Sequence, residues 1–311
     1  MGITCLRLLG VFSVSALFSS TSFSTGFSGP TPFTATYNDV RIFMNELARS
    51  HASTARIVTV GTSDSGQTIQ GLAIGDGPVK NMVVASHHGN EYGSVEVARA
   101  FATAVAINPI KDQTVYVIPV LNISGYDRRS REEISSHNRS TDPNRDYPGP
   151  CSAAFNSPTE HALKSTAALS QFVEREGIVS SATLHTYFPA VVYPWGIATH
   201  DLLTAYNDLF RILVDAATVE SHYQTGNSTE VIYPANGTYE DYAFWKHGIW
   251  SLLFELGETH YPSIDQINRM TQVNVPGLRR FFEQAPKTRA ADHTFRGTCD
   301  ASLLALDRHD E

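Results

Sequence analysis

Apolar residues recur along the chain in two alternating rhythms. Over residues 37–50, Val40, Ile42, Phe43 and Leu47 return at helical spacing, so a short amphipathic helix opens the main body. Two β-branched runs follow, 56–60 and 68–74. The segment between them, Gly61-Thr62-Ser63-Asp64-Ser65-Gly66, has turn chemistry and predicts a hairpin. Residues 81–85 read as a buried strand, 94–107 as a helix packed beside it and 114–121 as the next buried strand. A long polar segment, 122–151, precedes a helix at 162–176. Strands at 181–184 and 190–193 come next, then a turn at Pro194-Trp195-Gly196, a long helix at 200–220 and a loop at 229–236. A helix at 239–247, a buried strand at 250–256 and a final helix at 275–284 complete the pattern. Strands alternating with helices, without a composition break, repeat or linker, imply one α/β domain with a largely parallel sheet.

The first thirty residues differ in kind. Arg7 precedes an apolar run from Leu8 to Phe18, and a Ser/Thr/Gly-rich tract ends at Pro30. This is the pattern of a secretory signal peptide and leader, so we assign 1–30 to it and 31–311 to the catalytic domain argued for below. The run is short for a bilayer span, which makes a permanent membrane anchor the weaker alternative. A secreted or periplasmic protein follows, with no stable membrane insertion once the signal is removed. Cys5 leaves with the signal. The remaining pair, Cys151 and Cys299, is predicted to form a disulfide, with two free thiols as the alternative. A net charge of -8 without a basic stripe excludes nucleic acid as the main partner, and 42% hydrophobic residues suffice for a large core.

Candidate chemistry gathers at strand ends, where sites in open α/β sheets form. His88 and Glu91 follow the 81–85 strand at H-x-x-E spacing, His185 follows 181–184, and Glu255 lies inside the last strand. Imidazole and carboxylate are both zinc ligands, and a catalytic zinc usually takes three protein ligands. A lone H-x-x-E also arises by chance among 12 His and 31 acidic residues. Glu255 sits among Leu252, Leu253, Phe254 and Leu256, where an unpartnered carboxylate is expensive to bury; a structural ion pair is its alternative. The polar stretch before Cys151 is too long for a plain connector and points to function.

From Tyr37 to the last helix the chain resembles the zinc carboxypeptidase family of the pancreatic type. His88-Gly89-Asn90-Glu91 matches the family's first metal motif. His185-Thr186-Tyr187, followed by Val192-Tyr193-Pro194-Trp195-Gly196, matches the second. Asp142-Pro143-Asn144-Arg145-Asp146 resembles the D-x-N-R-N/D segment. Ile232-Tyr233 resembles the mobile tyrosine loop, and Glu255 falls 22 residues beyond Tyr233, where the family places its catalytic glutamate. The resemblance implies a single-domain, three-layer α/β/α fold with a mixed, largely parallel sheet of about eight strands.

It also implies roles. His88, Glu91 and His185 hold one Zn2+ per chain, and Glu255 is the general base. Asp142 accepts a hydrogen bond from the far nitrogen of His88; a turn carboxylate before Pro143 is the alternative. Asn144, Arg145 and Tyr233 clamp a substrate's terminal carboxylate, a contact suited to a guanidinium fork; alone, Arg145 reads as a surface cation. Tyr187 lines the site or simply packs. An arginine stabilises the oxyanion. Asn122-Ile123-Ser124-Gly125 stands where the family commonly has N-P-D-G, and counting from Gly125 favours Arg131, with Arg129 second and Arg128 and Arg139 behind. Glu240, seven positions after Tyr233, implies a pocket selecting basic C-terminal residues; otherwise Glu240 and Asp241 merely start a helix with favourable charge. His87 is expected to point away from the metal.

The expected activity is therefore a secreted zinc metallocarboxypeptidase acting on peptide or protein C-termini, as a monomer. Two alternatives remain: an amidase on non-standard substrates such as peptidoglycan γ-D-glutamyl peptides or N-acyl amino acids, and an inactive binding module on the same fold. About 58 residues separate Pro30 from His88, about what the mature fold itself needs, so no inhibitory prodomain is expected. Sequons at Asn122, Asn138, Asn227 and Asn236 matter only in a glycosylating host.

Overall fold

A computed structural model describes residues 31–154, 160–197 and 202–299 of the 311-residue chain. The leader expected over 1–30 lies outside the described residues, as do His200 and Asp201 of the helix expected over 200–220.

Helix α1 (Tyr37–Ser50) starts where expected, because Asp39 accepts hydrogen bonds from the Thr36 N–H and hydroxyl, each at 2.7 Å. Strands β1 (Ala55–Thr62) and β2 (Thr68–Ile74) form the antiparallel hairpin, and β3 (Val79–Ala85) leads to helix α2 (Tyr92–Ile107). Strand β4 (Gln113–Ile118) is followed by a short helix α3 (Ile123–Arg128), so the polar segment opens with ordered structure rather than loop. Within it, β5 (Glu133–Ile134) and β6 (Ser140–Thr141) make a small separate ribbon. Then come α4 (Lys164–Glu176), β7 (Ser180–His185) and β8 (Ala190–Tyr193). Helix α5 (Asn207–Ala217) ends three residues before the expected 220 and is followed by β9 (Gln224–Asn227) and a single turn α6 (Ser228–Val231), which takes the start of the loop expected over 229–236. Last are α7 (Tyr239–His247), β10 (Trp250–Glu255) and α8 (Ile264–Gln284).

The final helix begins at Ile264, not at 275 as the sequence pattern predicts, and Pro276 stands inside it. The true start is a capping box, in which the Ser263 N–H reaches Gln266 Oε1 at 2.8 Å and the Gln266 N–H reaches Ser263 Oγ at 3.3 Å.

The main sheet has eight strands in the order β1-β2-β4-β3-β7-β10-β8-β9. Pairings β4-β3, β3-β7, β7-β10 and β8-β9 are parallel and the others antiparallel, so the sheet is mixed with a parallel centre. Helices α2, α5 and α8 pack together and α2 lies against the sheet, while α4 packs on β1 and α7 on β10. Central strands such as β4 and β7 are buried along their whole length, as coverage of both faces requires. Register then sets the chemistry: Glu255 of β10 lies directly opposite His185 of β7, at the carboxyl ends of both strands.

The predicted disulfide joins Cys151 to Cys299, closing the end of the polar segment onto the tail. Among the described residues no helix is long and apolar enough to cross a membrane. Of the four sequons, Asn122, Asn227 and Asn236 are buried, whereas Asn138 is exposed.

Candidate active site

Close packing of two turns builds the first part of the site. A Cβ on Gly89 would lie 2.0 Å from the Gly125 carbonyl carbon and 2.2 Å from the Tyr126 nitrogen, so only glycine fits between His88 and Glu91 here. Asn122 ties the turns together, donating from Nδ2 to the carbonyls of His87 (3.1 Å) and Arg131 (3.2 Å) and accepting from the Gly125 N–H at 2.8 Å. The arginine following this staple is thereby fixed beside the end of β3.

His88 Nδ1 lies 2.7 Å from Glu91 Oε1, His185 Nδ1 lies 3.1 Å from Glu91 Oε2, and the two Nδ1 atoms are 3.2 Å apart. All three residues are buried. Zinc with N ligands at about 2.0–2.1 Å and tetrahedral angles separates them by roughly 3.3 Å, so the observed spacing fits. Electrostatics agree. Burial disfavours charge on His88, yet the Glu91 and Asp142 carboxylates outweigh it and raise its pKa to about 9. The site's field thus favours positive charge among these donors, which a divalent cation supplies. His88, Glu91 and His185 form a metal-binding group, and it is the one such group among the described residues.

Asp142 serves both readings proposed for it. Its Oδ1 is 3.0 Å from His88 Nε2 and also accepts the Asn144 N–H at 2.7 Å, capping the short 3-10 turn Pro143–Arg145. Its Oδ2 binds Arg131 through Nε (3.0 Å) and Nη2 (2.7 Å). Arg131 Nη1 reaches within 3.3 Å of His88 Nδ1. The other arginines lie elsewhere. Arg129 gives its guanidinium to the carbonyls of Pro32, Phe33, Ala35 and Tyr126. Arg128 bonds Ser124 at 3.4 Å, and Arg139 is exposed on the β5-β6 ribbon's connection.

Asp146 anchors the next stretch, accepting from the N–H groups of Ala162 (2.9 Å) and Leu163 (3.0 Å) and the Thr166 hydroxyl (2.5 Å) at the start of α4. Asn144 Oδ1 accepts the Tyr239 N–H at 2.9 Å, and Arg145 Nη2 lies 3.2 Å from the hydroxyl of Tyr233. Tyr233 is 42% exposed, at the mouth rather than the wall.

One cavity of about 330 Å³ collects these groups: His88, Glu91, Arg131, Asn144, Arg145, His185, Tyr187, Tyr233, Glu240 and Glu255 all line it. Glu255 is half-buried at its edge, with Oε2 unpartnered among the described residues. Burial and then the Glu91 carboxylate push its pKa well above the usual range, against the pull of His88 and Arg131. Glu240 is buried, accepts the Thr183 hydroxyl on Oε1, and leaves Oε2 buried without a partner among the described residues. Its neighbour Asp241 turns away to the Gly196 N–H, 3.0 Å from each oxygen.

His87 points away from this cluster, as expected. Its Nε2 is 3.0 Å from the Tyr147 hydroxyl, and its ring stacks on that of His185 at 5.5 Å. Reasoning from sequence missed His260 and Phe188, which also line the cavity. His260 packs edge-on against Tyr187 at 4.8 Å. An isolated histidine past the last strand offers no local pattern; its nearness to Glu255 was the available signal.

A family model described as zinc carboxypeptidase matches residues 40–277, most of the chain. The chain belongs to the zinc carboxypeptidase family. Human carboxypeptidase B is 26% identical over 263 residues, covering 72% of this chain and 63% of that protein, so the chain spans less than two thirds of this relative. Carboxypeptidase B of Astacus astacus is 25% identical over 261 residues, covering 72% of this chain and 86% of that one. Among solved structures, bovine thrombin-activatable fibrinolysis inhibitor in complex with tick carboxypeptidase inhibitor matches with a TM-score of 0.72 at 17% identity, covering 80% of this chain and 96% of that one. Carboxypeptidase A from Helicoverpa armigera gives 0.67 at 17%, covering 81% and 72%. These two likenesses show the fold alone, and they agree with the mixed eight-stranded sheet.

Proposed function

We propose that the chain is a zinc-dependent carboxypeptidase that hydrolyses the last peptide bond of peptide or protein substrates and prefers a basic C-terminal residue. The observation that carries this reading is one cavity bringing together a His-Glu-His metal group, a glutamate whose Oε2 has no hydrogen-bond partner among the described residues, and a guanidinium beside an exposed tyrosine.

His88, Glu91 and His185 would hold a zinc ion, which when bound would supply Lewis acidity towards a water and the scissile carbonyl. Asp142, bonded to His88 Nε2, fixes the tautomer that leaves Nδ1 as the donor. Glu255 takes the proton of the attacking water as its oxygen bonds to the carbonyl carbon, then returns that proton to the departing amine as the C–N bond breaks. Arg131 offsets charge developing on the carbonyl oxygen. Arg145, Asn144 and Tyr233 hold the terminal carboxylate, with Tyr187 at the rim, and Glu240 faces the basic side chain.

The same proposal places the protein outside the cytoplasm, secreted or periplasmic, because a disulfide such as Cys151–Cys299 persists in oxidising compartments. The test is hydrolysis of matched peptides with free or amidated C-termini, before chelation, after it, and after zinc is restored. Loss and recovery of activity on the free form alone is expected. Equal cleavage of amidated peptides would point to an amidase, and no zinc-dependent cleavage would overturn the reading.

A further inference from the structure

Glu255 Oε2 has no hydrogen-bond partner among the described residues, so that oxygen is aimed by the backbone that carries it. As far as the next residue, the sheet holds this backbone. Glu255 pairs with His185 on one side and Ala190 on the other, and the Leu256 N–H donates to the His185 carbonyl at 2.9 Å. The ladder ends at Gly257. Its φ of +69° is a left-handed turn that turns the chain away from the strand, and a Cβ there would lie 2.9 Å from Met270 Sδ.

The Gly257 N–H donates to the Tyr223 hydroxyl at 3.1 Å. Tyr223 stands just before β9, where the Gln224 N–H is tied to the Pro189 carbonyl at 2.9 Å, so its side chain reaches past β8 to the end of β10. Asn274 of α8, wholly buried, donates from Nδ2 to the same hydroxyl at 3.3 Å and to the Met270 carbonyl at 2.9 Å. Three segments distant in sequence thus meet two residues past Glu255. Packing alone does not fix this turn, because a second cavity of about 320 Å³, lined by Pro189, Tyr223, Gly257, Glu258 and Met270 among others, lies against it. Neither Tyr223 nor Asn274 lines the catalytic cavity.

We propose that Tyr223 is a positioning residue for the hydrolysis: its hydroxyl, steadied by Asn274, holds the turn after β10 and so keeps the Glu255 carboxylate aimed at the attacking water. The inference rests on the carboxypeptidase reading, in which Glu255 is the general base. Proton transfer needs the base within hydrogen-bond reach of the water, and a misplacement of about 1 Å can cost about 100-fold in rate. Sheet pairing at Glu255 and Leu256 survives loss of the hydroxyl, so the effect is a loosening of the base and not its removal. Substrate and metal contacts, made by other residues, stay in place.

The experiment compares wild type, Tyr223→Phe and Glu255→Gln as zinc-loaded full-length proteins on a peptide with a free C-terminal Lys. Tyr223→Phe keeps the ring and its packing and removes only the hydroxyl. Its kcat should fall about threefold to tenfold, the worth of one neutral hydrogen bond, while KM and zinc affinity against a competing chelator each stay within about twofold. Amide hydrogen exchange should quicken in the fragment spanning residues 255–259 and stay unchanged in β7. A merely structural role would spread the loss to KM and to zinc affinity. Unchanged kcat, unchanged exchange at 255–259, or a loss carried by KM or by zinc affinity overturns the positioning role, and if Glu255→Gln is slow in the same assay the carboxypeptidase reading stands without it. Turnover by Glu255→Gln at the wild-type rate overturns that reading itself.

Discussion

Replacing Glu240 by Gln removes one negative charge from the cavity and changes little else. The amide keeps an oxygen for the Thr183 hydroxyl, and the backbone carbonyl still accepts from Ser251 Oγ at 2.8 Å. Asp241 does not compensate, because its carboxylate is occupied by Gly196, and burial, with Glu240 adding to it, raises its pKa to about 7. A substrate Lys or Arg meeting the partnerless Oε2 at about 4 Å gains roughly 4 kcal/mol at an effective dielectric constant of about 20. Desolvation of the substrate cation lowers the net to about 2–4 kcal/mol, or about 30-fold to 1,000-fold in selectivity. The assay is kcat/KM for peptides differing only in a C-terminal Lys, Arg, Leu or Phe. Wild type should favour Lys and Arg. Glu240→Gln should erase most of that preference while changing Leu and Phe by less than about threefold. Faster cleavage of Leu or Phe by wild type, or an unchanged ratio in the variant, would refute the reasoning.

Three further outcomes are expected. Asp142→Asn leaves an oxygen to cap Asn144 but weakens the support of His88, so zinc affinity measured against a competing chelator should fall about 10-fold to 100-fold; unchanged affinity would remove Asp142 from that role. Arg145→Ala should lower kcat/KM on free C-termini by about 10-fold to 150-fold, the worth of a charged hydrogen bond, mostly through KM, with any slow cleavage of amidated peptides unaffected. Glu133 is fully buried, and burial, opposed by the Ser165 hydroxyl and reinforced by Asp64, raises its pKa from 4.5 to about 7. The folded state therefore holds this proton more tightly than the unfolded chain. Its stabilisation is present below pH 4.5 and is lost as pH rises to about 7, by about 3 kcal/mol. Urea titrations of Glu133→Gln should accordingly gain on wild type by that amount across the same window, and a difference independent of pH would contradict the account.

The sheet was legible wherever burial on both faces imposes an apolar run, as in β3, β4 and β10. Strand β9 was not, because Gln224-Thr225-Gly226-Asn227 is polar and lies at the sheet's edge, where pairing with β8 rather than burial makes it a strand. The start of α8 was written in the Ser263 and Gln266 capping box, upstream of the 275–284 pattern from which the helix was read. In the site, the H-x-x-E spacing and the strand-end positions of His185 and Glu255 carried the metal group and the glutamate beside it. Spacing alone could not settle which arginine stands at the metal group. That depends on Asn122 holding the Arg131 carbonyl while Arg129 is drawn off to the Phe33 arm, and both are contacts between distant segments. The contact of Tyr223 with Gly257 has no sequence signature for the same reason.

The most direct measurement compares wild type with Glu255→Gln at matched zinc content. Because Glu255 is not among the three metal-group residues, the variant should bind zinc as wild type does, yet its kcat on a peptide with a free C-terminus should fall about 100-fold to 10,000-fold. A zinc-loaded Glu255→Gln protein that hydrolyses the peptide at the wild-type rate would contradict the account.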